Sequence, residues 1–113
     1  MASGTIPAQG ARLQTYILAN GQSLTISVAA NRSVAMLIAT CGPRAYCQSL
    51  HYSANRGNNT QYSTVTSLVA SASISATVTA SGIVVANSTG YNIEVSVLIM
   101  ADDYHAASFT IST

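Results

Sequence analysis

Residues 71–81 read Ser-Ala-Ser-Ile-Ser-Ala-Thr-Val-Thr-Ala-Ser, with Ser71, Ser73, Ser75, Thr77, Thr79 and Ser81 in one register and Ala72, Ile74, Ala76, Val78 and Ala80 in the other. A period of two sends the two sets to opposite faces of an extended chain, whereas a helical period of 3.6 would mix them around the axis. The run therefore specifies a β-strand with one wet and one dry side. Its wet side is unusual, because it offers only small hydroxyls where a soluble strand ordinarily carries Lys and Glu.

The same habit governs the whole chain. Among 113 residues, 49% are apolar and 6% charged, and there is no Lys. An ordinary domain carries about a quarter charged residues. Low charge raises the question of a membrane span, but the longest apolar runs, such as 95–101, are far shorter than the ~20 residues a spanning helix needs. No membrane insertion is expected. The four Arg are scattered and the net charge is +1, which gives no stripe able to neutralise phosphates, so no nucleic acid partner is expected. The first ten residues have neither a basic start nor an apolar centre and do not read as a signal peptide.

Short apolar alternations separated by turn residues recur along the chain, with no sustained helical period. They predict strands at 13–18, 23–29, 33–41, 45–52, 62–70, 72–80, 83–86, 91–100 and 105–112. Asn20-Gly21 predicts a tight hairpin between the first two. Residues 53–61 form the longest polar stretch and are expected to be a loop. Eight or nine short strands and no significant helix define an all-β chain, an antiparallel β-sandwich of jelly-roll type. Residues 1–11 are expected to be an N-terminal arm, and 12–113 a single sandwich domain.

Residues 33–41 are apolar on both sides, Val34, Met36 and Ile38 against Ala35, Leu37 and Ala39, as in a strand covered twice. Sheet edges are normally protected by Lys, Pro or bulges, and this chain has only Pro7 and Pro43. A neighbouring copy would cover edges and apolar faces together, so a homo-oligomer is expected, with a trimer as the favoured form.

Cys41 and Cys47 flank a Pro-containing turn. They read either as a disulfide across a hairpin, contributing roughly 2 kcal/mol by loop closure, or as two reduced thiols. Asp103 and His105 share a face of an extended backbone and are the weak metal candidates, but two ligands make no site, and a polar turn is the simpler reading. Catalysis lacks its usual signatures: there is no Gly-x-Ser-x-Gly elbow and no Gly-rich phosphate loop. Glu94 with Asp102 or Asp103 is the sole carboxylate pairing available for glycoside hydrolysis. The expectation is no enzyme and no cofactor. Tyr46, Tyr52 and Tyr62 bracket Asn55, Arg56, Asn58 and Asn59, a mixture of aromatic faces and amide and guanidinium donors suited to sugar hydroxyls or to a protein contact. These seven residues are the candidate binding site. Asn31, Asn58 and Asn87 each begin a glycosylation acceptor triplet, read as a by-product of an Asn-, Ser- and Thr-rich composition.

The segments Leu18-Ala19-Asn20-Gly21-Gln22-Ser23-Leu24-Thr25-Ile26 and Val85-Ala86-Asn87-Ser88-Thr89-Gly90-Tyr91-Asn92-Ile93-Glu94-Val95-Ser96-Val97, with the hydroxyl-rich middle between them, resemble the β-sandwich head domains of phage tail fibres and virion decoration proteins. The resemblance implies a structural or attachment protein of the virion surface, made in the host cytoplasm, commonly homotrimeric, and binding a cell-surface glycan or other virion proteins. A free-standing carbohydrate-binding lectin is the alternative, and an ice-binding protein using the Ser/Thr ladder is the second.

Overall fold

The alternating segments fold as strands because each buries one register against a second layer. The computed structural model describes residues 2–28, 33–42, 49–56, 62–69, 72–78, 82–101 and 107–113, and of 49–56 and 62–69 only the backbone. Among them are ten strands: β1 (Ala2–Ile6), β2 (Ala11–Leu18), β3 (Ser23–Val28), β4 (Ser33–Cys41), β5 (Ser49–Arg56), β6 (Tyr62–Val69), β7 (Ile74–Val78), β8 (Gly82–Asn87), β9 (Ile93–Ala101) and β10 (Ala107–Ser112). No helix of the described residues is long and apolar enough to cross a membrane.

The strands form two antiparallel sheets, ordered β1-β10-β3-β8-β7 and β2-β9-β4-β5-β6. Setting aside the outer strands β7 and β6 leaves β1-β10-β3-β8 facing β2-β9-β4-β5, two four-stranded sheets between which the chain crosses repeatedly. That is the eight-strand, two-sheet arrangement of a jelly roll. Between the layers lie Ile6, Leu24, Ile26, Ile83, Val85, Phe109 and Ile111 from the first sheet. Leu18, Val34, Met36, Ile38, Ile93, Val95, Val97 and Ile99 come from the second, and all are fully buried or nearly so.

Three local expectations are revised by the pairing. Residues 1–11 carry a strand, since β1 pairs with β10 from Ala2↔Ile111 to Ile6↔Ala107, and this is the strand beyond the eight or nine expected. The polar stretch expected to loop from residue 53 is strand as far as Arg56, because β4 and β6 supply ladder partners on both sides and pairing outweighs weak intrinsic propensity. Asn20-Gly21 does not close a hairpin, for β2 and β3 lie in different sheets. A type I′ hairpin turn needs positive φ at both residues, and here only Gly21, at φ 82, is positive.

That turn is instead stitched to the chain at 87–91. Gly21 N–H donates to the Asn87 carbonyl (2.8 Å), Asn87 N–H donates to the Gln22 carbonyl (3.0 Å), and Gly90 N–H donates to Asn20 Oδ1 (2.8 Å). Asn87, 1% exposed, donates through Nδ2 to the carbonyls of Leu18 (3.0 Å) and Tyr91 (2.8 Å) and accepts at Oδ1 from Thr89 N–H (2.9 Å) and Thr89 Oγ1 (2.7 Å). One buried amide thus closes this end of the sandwich, and all its polar atoms are used.

Candidate functional site

Backbone pairing brings part of the predicted binding site together. Arg56 is the register partner of Tyr62 and Asn55 of Ser63, so Asn55, Arg56 and Tyr62 sit at the end of the second sheet where β5 gives way to β6. Tyr52 sits further in, opposite Leu37 on β4 and Thr66 on β6, roughly 13 Å along the strand from Arg56 at ~3.3 Å per residue. Asn58, Asn59 and Tyr46 lie outside the described residues, as do Asp103, His105 and Cys47. Cys41 is an exposed free thiol at the end of β4, beside Glu94 in the register. Among the acceptor triplets, Asn87 is closed to modification by its burial and its two donated hydrogen bonds. Asn31 and Asn58 fall outside the described residues.

The hydroxyl habit of the sequence becomes a surface. On the outer face of the first sheet, Ser3 of β1 pairs with Thr110 of β10, which pairs with Ser27 of β3. Ser112 lies beside Thr25, Thr25 beside Val84, and Val84 beside Thr77. Thr5 with Ser108 and Ser23 with Ala86 and Ser75 extend the rows in both directions. Strand spacing sets these groups about 4.8 Å apart across the sheet and about 6.7 Å apart along it. No charged side chain interrupts them among the described residues. Ser27, Val28, Ser108, Phe109 and Thr110 line an open depression.

Arg12, Gln14 and Tyr16 share the register of β2 that ends in the buried Leu18, with Arg12 exposed and Gln14 and Tyr16 half-buried. Arg12 lies over the buried Phe109 ring, its guanidinium carbon 5.3 Å from the ring centroid, and donates through Nε to the Gln14 amide oxygen at 2.8 Å once that amide is oriented by its partners. The contact joins the sheets by a cation–π interaction. Tyr16 is packed against the core, and its buried hydroxyl has no hydrogen-bond partner among the described residues. Burial raises the Tyr16 phenol above its ordinary pKa, with the Arg12 charge opposing. Glu94, the carboxylate among the described side chains, is exposed on the outer face of β9.

No protein-family model matches the chain, and no curated protein does. A solved structure does match: the tailspike protein gp49 from Acinetobacter baumannii bacteriophage Fri1, a capsular polysaccharide depolymerase, at TM-score 0.64 and 10% identity. The match covers 96% of this chain and 21% of the tailspike, so the chain spans about a fifth of that protein's length. At this identity the likeness establishes a shared fold. It accords with the resemblance to phage tail proteins read from the sequence. It also corrects one expectation: the fold occurs within an enzyme, so the absence of familiar catalytic signatures gives no ground for calling this chain a non-enzyme.

Proposed function

We propose that the chain is a tail-associated component of a phage virion, and that it contacts a bacterial surface polysaccharide through the end of the second sheet where β5 passes to β6. The observation that carries this reading is the correspondence of nearly the whole chain with one part of a tailspike. The jelly roll supplies a rigid scaffold, and contacts concentrate on the connections such scaffolds present. Asn55, Arg56 and Tyr62 bring amide, guanidinium and aromatic groups to neighbouring backbone positions, the donor and stacking set that sugar rings require.

A panel of purified bacterial capsular polysaccharides tests it. Retention of at least one by the wild-type chain is expected. Arg56→Ala with Tyr62→Ala should weaken it by roughly 1–3 kcal/mol while leaving the melting temperature in place, and Tyr52→Ala alone should weaken it less. Normal binding by the double variant would move the site elsewhere on the molecule. Following the polymer's length in the same mixture reads any depolymerase activity directly.

The hydroxyl face of the first sheet favours one other reading, in which its regular rows of Ser and Thr order water as an ice-binding surface does. Thermal hysteresis of the purified chain, with Thr25→Asp and Thr110→Asp as interrupting variants, decides it.

A further inference from the structure

We propose that Asn20 is a site of spontaneous deamidation whose rate is set by the corner joining residues 19–22 to 87–91, and that its isoaspartyl product opens that corner. Asn20-Gly21 is the only Asn-Gly step in the chain, and a glycine nitrogen, with no Cβ beside it, is the least hindered backbone nucleophile. The chemistry needs only water. The Gly21 nitrogen loses its proton and attacks the Asn20 side-chain carbonyl carbon, forming an N–C bond in a five-membered succinimide. The bond from that carbon to the side-chain nitrogen breaks, and ammonia leaves. Water then opens the ring at either carbonyl, giving Asp if the original main chain is restored and isoaspartate if the chain is rerouted through the side-chain carbon.

Burial does not protect this pair. Asn20 is exposed, and no atom lies within 4 Å of where a Gly21 Cβ would stand, so water and base reach it. What opposes the reaction is hydrogen bonding and backbone geometry. Gly21 N–H donates to the Asn87 carbonyl at 2.8 Å, and the nucleophile is freed only when that bond breaks. Asn20 Oδ1 accepts from Gly90 N–H at 2.8 Å, which fixes the direction of the carbonyl to be attacked. Gln22 N–H closes the turn on the Ala19 carbonyl at 3.0 Å, and with Gly21 at φ 82 in third place the turn is of type II. Ring closure needs the Asn20 Cβ and the Gly21 nitrogen nearly eclipsed about the Cα–C bond, and the ψ of about +120° at the second position of a type II turn holds them well apart. The products differ in consequence. Asp keeps an oxygen for Gly90 N–H and the length of the main chain. Isoaspartate adds a methylene to the main chain inside a turn bonded within itself and to Asn87.

Incubation in mildly alkaline buffer, followed by trypsin and mass spectrometry, tests this, since cleavage at Arg12 and Arg32 releases Asn20 within residues 13–32. Conversion in the folded wild type should be at least about tenfold slower than in the same chain unfolded by urea, because reaction waits on local opening. Thr89→Val removes the hydroxyl that donates to Asn87 Oδ1 (2.7 Å) and accepts from Tyr91 N–H (3.2 Å). It loosens 87–91 without touching residues 19–22, and should speed conversion in the folded protein. Hydrogen exchange of the Gly21 amide in the wild type needs no variant, and its protection should match the slowing of conversion. Asn20→Asp should melt with the wild type, and the isolated isoaspartyl protein should melt lower. Equal rates in folded and unfolded wild type would overturn the proposal. So would a folded Thr89→Val that converts no faster, an unprotected Gly21 amide beside slow conversion, or an isoaspartyl protein as stable as Asn20→Asp.

Discussion

Replacing Asn87 by Ala should destabilise the fold by about 3–4 kcal/mol. Its side chain makes four hydrogen bonds, two donated and two accepted, each contributing about 1 kcal/mol net. The Leu18 residue whose carbonyl it satisfies is 0% exposed, so the lost partner is hard for water to replace. For a chain of this size a kcal/mol corresponds to roughly 4 °C, and the melting temperature should fall by about 12–16 °C. Asn87→Asp separates hydrogen bonding from packing. It keeps the volume and the acceptor toward Thr89, but turns two donors into an ionised oxygen facing two carbonyls. At neutral pH it should be at least as harmful as Ala. The folded state would favour the protonated acid, which raises the folded pKa above the unfolded value, so the deficit should shrink as pH falls and grow as pH rises through that folded value. Urea unfolding followed by circular dichroism, at fixed protein concentration because association shifts apparent stability, gives the comparison. An Asp variant within 1 kcal/mol of wild type at neutral pH would refute the claim that bond direction, not shape, holds this corner.

Two further outcomes follow from the core. Gly82→Ala would drive a Cβ into the Ile26 carbonyl across the β3–β8 ladder, and calorimetry should show a loss of about 2 kcal/mol or more, as for other overpacked sites. Tyr16→Phe removes a buried hydroxyl without a described partner and should leave stability unchanged or raised. It should also remove from an ultraviolet titration a tyrosine transition lying above the ordinary phenol range, since burial raises that phenol. The stability tied to the raised phenol is present below its unfolded pKa and lost as pH rises through the folded one.

The sandwich was legible because one register of most strands is buried. In β9 and β10 buried residues alternate with partly or fully exposed ones, and the sequence shows the same period. β1 was hidden: Ala-Ser-Gly-Thr-Ile has one large apolar residue, and it becomes a strand because β10, distant in sequence, offers an open ladder. The same cause extends β5 to Arg56. Asn20-Gly21 was read correctly as a turn and wrongly as a hairpin, since a dipeptide specifies local dihedrals but not which sheet receives the next strand. Asn87 escaped notice as a structural residue because its partner Leu18 is 69 positions away. The candidate site was legible only as composition. Register shows Arg56 beside Tyr62 and Tyr52 apart from them, a distinction no linear reading contains.

Least legible was the division of surface chemistry between the sheets. Along the chain, hydroxyl-faced strands such as β3 and apolar-faced ones such as β4 follow one another, and the crossing of the chain between layers sorts them. The sorting also gives the missing charge a physical sense. A Lys or Glu on a strand stands well off the sheet on a mobile stem, while Ser and Thr leave the surface level and lose little side-chain freedom when something lies against it. On the outer face of the first sheet, hydration then rests on hydroxyls rather than on charge.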